Sequence, residues 1–148
     1  MKRLLWLMVL LGVGWVGAVF SVHAETIGVV QIASGPCSLI RDGQASGIQI
    51  GLKLQENDLL ETGAEGTLGI VLRDDTLLSI GPNSRFVLDR FAFSPADEQL
   101  GLAARLNRGI MMMVSGQIAR MAPESVRIET PMALLGIRGT RFAIKVSE

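Results

Sequence analysis

Residues 126–146 hold two stretches that alternate apolar with polar residues around a turn-rich corner, and no other feature narrows the fold so far. Phe142, Ile144 and Val146 share one parity, with Arg141, Ala143 and Lys145 between them. A period of two belongs to a strand with one face on a core and one on solvent. Val126 and Ile128 alternate with Arg127 and Glu129 in the same way. Pro131 cannot donate to a ladder, so it marks a strand end or an edge. Gly136 and Gly139 bracket Ile137 and Arg138, where they permit backbone conformations or close approaches that a β-carbon would block. The expectation is strand, turn-rich corner, strand.

The same period runs through the middle of the chain. Leu68, Ile70 and Leu72 lie on one face, with Thr67, Gly69, Val71 and Arg73 on the other. Asp74 and Asp75 form a tight turn into residues 76–80, and residues 81–84 form another. Residues 85–91 alternate again, with Phe86 and Leu88 together. Upstream, residues 26–33 are rich in β-branched side chains and read as a first strand. Gly35 and Pro36 break it, residues 37–41 resume, and Asp42-Gly43 is a hairpin turn. Residues 47–54 are extended but weakly patterned, and residues 59–62 form a strand ended by Gly63.

Ser94, Pro95 and Asp97 have the form of a helix start. Leu100, Leu102, Ala104 and Leu106 then alternate with Gly101, Ala103, Arg105 and Asn107, so strand is expected and residues 94–98 are a loop. Gly109 is expected to separate this strand from the apolar run of residues 110–114. Residues 115–122 suit one or two helical turns, ended by Pro123. No period of 20 to 50 residues recurs. The fold class expected is all-β, a single twisted sandwich or roll of about ten short strands.

Lys2 and Arg3 precede an apolar run to Val22, and Ala24 closes an A-x-A-like site. This describes a signal peptide over residues 1–24, directing a secreted or periplasmic product. The alternative is an uncleaved inner-membrane anchor facing the periplasm, since the run is long enough to span a bilayer. Cleavage leaves residues 25–148, one domain of 124 residues with 12 basic against 14 acidic side chains. A net charge of −2 gives no electrostatic ground for nucleic-acid binding.

The exported part has little with which to run chemistry. Its one histidine, His23, leaves with the leader, so Ser-His-Asp and Cys-His arrangements are excluded. Cys37 is the sole thiol, which forbids an intrachain disulfide, and it reads as a small part-buried hydrophobe. A zinc site is not expected from one cysteine and no histidine. The acid pairs Asp74-Asp75 and Asp97-Glu98 lack calcium-loop spacing and read as solvated turns. Distant carboxylates can hydrolyse glycosides, but Trp6 and Trp15 lie in the leader and no tyrosine offers a sugar platform. Of the phenylalanines, Phe86 and Phe142 are expected to face inward. The glycines at 12, 14 and 17 match a dinucleotide fingerprint by chance, inside the leader. Consecutive methionines in a strand point to opposite faces, so Met111, Met112 and Met113 cannot converge on one copper ion. They read as core residues plus one exposed side chain. No enzyme activity and no cofactor are expected.

Several segments together resemble one family. Glu129, Thr130 and Pro131, then residues 136–140 and Phe142, are similar to the C-terminal signature of the FecR-type domain. Glu61 to Gly63, Leu72 to Leu77 and Ile80 to Leu88 resemble its "TG", "DGS" and "GPNS" segments, with Asp75 where that family usually has glycine. Asp tolerates left-handed geometry, so the departure touches the turn and leaves the fold in place. The resemblance spans residues 26–146. It implies an all-β periplasmic module, best known from regulators of iron-siderophore uptake that join a cytoplasmic anti-sigma segment to a membrane span. Only residues 1–3 precede the apolar run, so the resemblance carries over the module without that effector. The role it implies is protein binding or sensing in the cell envelope, accessory to signalling or transport, with another envelope protein as partner. A domain binding cell-wall glycan or a small molecule is the alternative. Gly136, Arg138, Gly139, Thr140 and Arg141 are the candidate residues. Arg138 and Arg141 either present guanidinium forks to an anion or partner, or Arg138 holds carbonyl groups exposed at the corner.

Overall fold

The computed structural model describes residue 21 and residues 23–147; the expected leader and its glycine run otherwise fall outside that range. Twelve strands form among the described residues. They are β1 (Gly28–Ser34), β2 (Cys37–Arg41), β3 (Gln44–Gly47), β4 (Lys53–Leu54), β5 (Leu59–Thr62), β6 (Thr67–Leu72), β7 (Leu77–Ile80), β8 (Arg85–Ser94), β9 (Gln99–Val114), β10 (Val126–Glu129), β11 (Leu134–Gly136) and β12 (Arg141–Val146). One short helix, α1 (Gln117–Met121), follows β9. The count exceeds ten because β4 and β11 are two and three residues long and carry no alternation to announce them. Asp42 and Gly43 both take positive φ in the β2–β3 turn, as a two-residue hairpin demands.

The strands make two curled sheets that share β9. One runs β4-β1-β6-β7 and then the C-terminal half of β9, with β12 beyond it. The other runs β3-β2-β5-β8 and then the N-terminal half of β9, with β10 parallel to it and β11 outermost. Val30, Ile70, Leu72 and Leu78 from the first sheet pack in one apolar cluster with Leu60, Phe86, Leu88 and Leu106 from the second. This is the all-β roll the period of two implies.

Contrary to the expected break at Gly109, β9 runs through it unbroken and bends there. Before the bend Leu102, Ala104 and Leu106 are buried, and after it Met111 and Met113 are. The inward parity flips from even to odd, which needs one residue out of register with the pleat. The pairing with β8 jumps from Leu106 to Arg108, so Asn107 is the extra residue, and Gly109 follows it at φ +93°. A Cβ there would stand 2.1 Å from the Ser84 hydroxyl and 2.4 Å from its Cα. The Ser84 hydroxyl in turn accepts from the Ile110 N–H at 3.0 Å, fixing the residue after the bend.

The Asp74-Asp75 turn also departs from expectation. Asp75 is exposed and left-handed at φ +67°, as its replacement of glycine requires. Asp74 is fully buried, so half of the supposed solvated turn is interior. Its carboxylate accepts from Thr76 N–H at 3.1 Å, from the Thr76 hydroxyl at 2.8 Å and from Ile118 N–H at 3.1 Å. Its carbonyl takes Gln117 N–H at 2.7 Å. Asp74 therefore pins the start of α1 to the β6–β7 turn. Asp97-Glu98 is exposed, in a single 3-10 turn whose Asp97 accepts from Ser94.

Gly109→Ala meets both a forbidden φ and backbone atoms, and is expected to cost at least about 3 kcal/mol. Gly43→Ala, at φ +76° but with open space around it, is expected to cost only about 1 kcal/mol. Urea unfolding monitored by circular dichroism compares the two.

Candidate interaction surface

The segments that resemble a family motif do local structural work at the bend of β9 and beyond its C-terminal end. The Thr62 hydroxyl donates to the Gly81 carbonyl at 2.6 Å and accepts from Ser84 N–H at 2.9 Å. Gly63 accepts from Asn83 N–H at 3.0 Å. Thus the Glu61–Gly63 and Ile80–Leu88 segments clasp one another, and Ser84 clasps β9. Asp74 does the same for α1. At the C-terminal corner Ser115 donates through its hydroxyl to the Gly139 carbonyl and through its N–H to the Thr140 carbonyl, both at 2.8 Å. Ser115 occupies the structural role considered for Arg138. A lone hydroxyl closing an apolar run was the signal for it.

The structure brings Gly136, Arg138, Gly139, Thr140 and Arg141 to one exposed crossing that carries the chain from β11 on one sheet to β12 on the other. Ile137 is the buried exception and anchors the crossing in the core. Arg138 and Arg141 make no hydrogen bond or ion pair to a described residue. The described cations that are engaged lie elsewhere. Arg41 grips the buried Asp58 at 2.7 and 2.6 Å, and that carboxylate raises its guanidinium above the ordinary value. Arg105 grips Asp89 bidentately, with the same effect.

Beside the crossing, Arg127 and Arg138 line an open groove of about 640 Å³ with Pro123, Val126, Leu134 and Ile137. Glu124 is the one acid on it. Leu134, at the start of β11, also lines the groove and is 63% exposed, and Met132 in the preceding turn is 91% exposed. Sequence reasoning did not single out these two; their signal was apolar side chains in a turn with no burial pattern to explain them. A shallow apolar cavity of about 280 Å³ lies on the outer face of the other sheet, where Ile32, Ile110 and Met112 surround Gly69 and Ser79.

The remaining candidates have settled places. Met111 and Met113 are buried and Met112 is 45% exposed, the core-plus-one arrangement expected of them. Phe86 is buried, and Phe142 packs on the core from a half-buried position. Cys37 is half-buried, and burial pushes its thiol above the ordinary value. Among the described residues, no three His, Cys, Asp or Glu side chains stand close enough to hold a metal ion, and no helix is long and apolar enough to cross a membrane.

An all-β roll whose turns are clasped by buried hydroxyls and the buried carboxylates of Asp58 and Asp74, and whose arginines and apolar side chains meet at an open C-terminal corner, is the class of module this structure defines. The family model described as FecR protein matches residues 58–148, well over half of the chain. The chain belongs to the FecR family. Its matched region starts at Asp58, so β1 to β4 precede it. A solved structure described as a cell surface anchoring domain is similar at 24% identity and a TM-score of 0.41, over 42% of this chain and 83% of that one. Among curated proteins nothing matches.

Ser115→Ala is expected to cost about 1–2 kcal/mol, because the Gly139 carbonyl loses its donor. Arg138→Ala is expected to stay within about 0.5 kcal/mol of the parent. Denaturation midpoints of the two variants check this, and a larger loss for Arg138→Ala would return the structural role to that side chain.

Proposed function

We propose that the chain is an exported, non-enzymatic module of the cell envelope that binds another protein or senses through it, accessory to signalling or transport. In this reading residues 1–24 direct export, residues 25–148 form the periplasmic domain, and Arg138 and Arg141 meet the partner while Gly139 and Thr140 hold the crossing. The observation that supports it is the exposure of Leu134 in a groove carrying two arginines with no ion-pair partner among the described residues, with Met132 exposed two residues before it. Apolar anchors ringed by guanidinium groups are the usual composition of a protein-docking surface. Membership of the FecR family agrees with an envelope role.

A photo-crosslinking residue at Leu134 is expected to give a discrete protein adduct in periplasmic cells, and Arg138→Glu is expected to weaken it. The same residue at Gln44, on the opposite edge of that sheet, is the control and should give none. Equal labelling at both positions, or adducts with cell-wall glycan alone, would overturn the reading.

A further inference from the structure

β12 is the longest strand with a single neighbour among the described residues: it pairs β9 and nothing beyond. The phase of its ladder follows from the Ser115 N–H bond to the Thr140 carbonyl, which makes residues 115 and 140 a hydrogen-bonded pair. In an antiparallel ladder such pairs alternate. Phe142, Ile144 and Val146 therefore turn their backbone groups to β9, and Arg141, Ala143 and Lys145 turn theirs to the open edge. Neither glycine nor proline interrupts those six residues. On the core side Phe142, Ile144 and Val146 are only half-buried, whereas Met111 and Met113 beside them on β9 are fully buried. Among the described residues the apolar row thus lacks a cover on its outer flank. On the other face the strand carries Arg141 and Lys145 and no acid.

These features select an occupant. A second copy adding through its own β12 with the two-fold axis at Ala143 would set Arg141 against the partner's Lys145. In any other antiparallel register, four cations and no anion would share one face, which disfavours the pairing. A strand with aliphatic residues on one parity covers the half-buried row, and Asp or Glu on the other parity meets the two cations. We propose that the open edge of β12 captures an extended segment of another protein, alternating aliphatic with acidic residues, as an added strand. The proposal rests on the reading of the chain as an interaction module; it shares Arg141 with the corner and otherwise uses a different surface from the groove that Leu134 lines.

Fluorescence anisotropy of a labelled heptapeptide alternating valine and glutamate, titrated with the purified protein, tests this. Saturable binding is expected, with the valine-lysine peptide at least about tenfold weaker. Ala143→Pro removes the central outward N–H from an edge where proline leaves the β9 ladder intact. It is expected to weaken binding by at least about tenfold while the denaturation midpoint and dichroism stay near the parent's. Should that variant misfold, the double variant Arg141→Glu, Lys145→Glu, on exposed positions, carries the test by reversing the preference toward the lysine peptide. No saturable binding, binding indifferent to the charge swap, or self-association that Ala143→Pro abolishes would each overturn the proposal. Arg138→Glu should leave peptide binding unchanged, so failure here is separable from failure of the crosslink at Leu134.

Discussion

The hydrogen bond between the Ser84 hydroxyl and the Ile110 backbone holds the bend on which both sheets depend. β9 can serve two sheets only if its inward parity changes in mid-strand, and an out-of-register residue leaves backbone groups that need partners. Ser84 accepts from Ile110 N–H, and the Ile110 carbonyl takes Gly81 N–H at 2.9 Å. Thr62 then fixes Ser84 and Gly81 together. The bend is thus closed by a chain of buried, mutually satisfied groups, and a network of that kind rigidifies where a half-satisfied one would not. Gly109 is required twice over, for its φ and for the space Ser84 occupies.

The period of two made most strands legible, because burial on one face is what produces the pattern and what the fold needs. The same local logic misread Gly109. A glycine with a parity jump reads alike whether the chain ends one strand and starts another or bends within one, and only the pairing of β8, β10, β7 and β12 along β9 decides. Asp74 was misread for a related reason. Two adjacent acids in a turn favour water by composition, but α1 folds back over the turn with first-turn N–H groups that have no partner within the helix, and a carboxylate aimed at Thr76 and Ile118 is satisfied in the interior. That contact spans 44 residues, beyond the reach of any local pattern.

The motif residues and the exposed surface answer to different demands. Thr62, Asp74, Ser84 and the Gly139-Thr140 carbonyls are where family resemblance concentrates, and each is spent on closing a turn or a strand end. Recognising them identifies the fold without identifying a site. What the sequence did not announce is the surface left over: Leu134 in the groove with Met132 exposed near it in sequence, and the open flank of β12. Met132 and Leu134 have no periodic signature, and the alternation of β12 tells its two faces apart without telling that its edge is open, since exposure is a property of the packing around a residue.

Arg138 sits where these two demands meet. The residue before it, Ile137, is buried, and the next two present carbonyls held by Ser115. Its backbone is therefore fixed on both sides by groups other than its own side chain. A guanidinium on such a backbone is free of structural duty, yet its stem starts from a set position, which lowers the ordering cost of any contact it makes. That is a sounder reason to look for a partner at this corner than the charge alone, because an arginine on a loose loop would forfeit that advantage on binding.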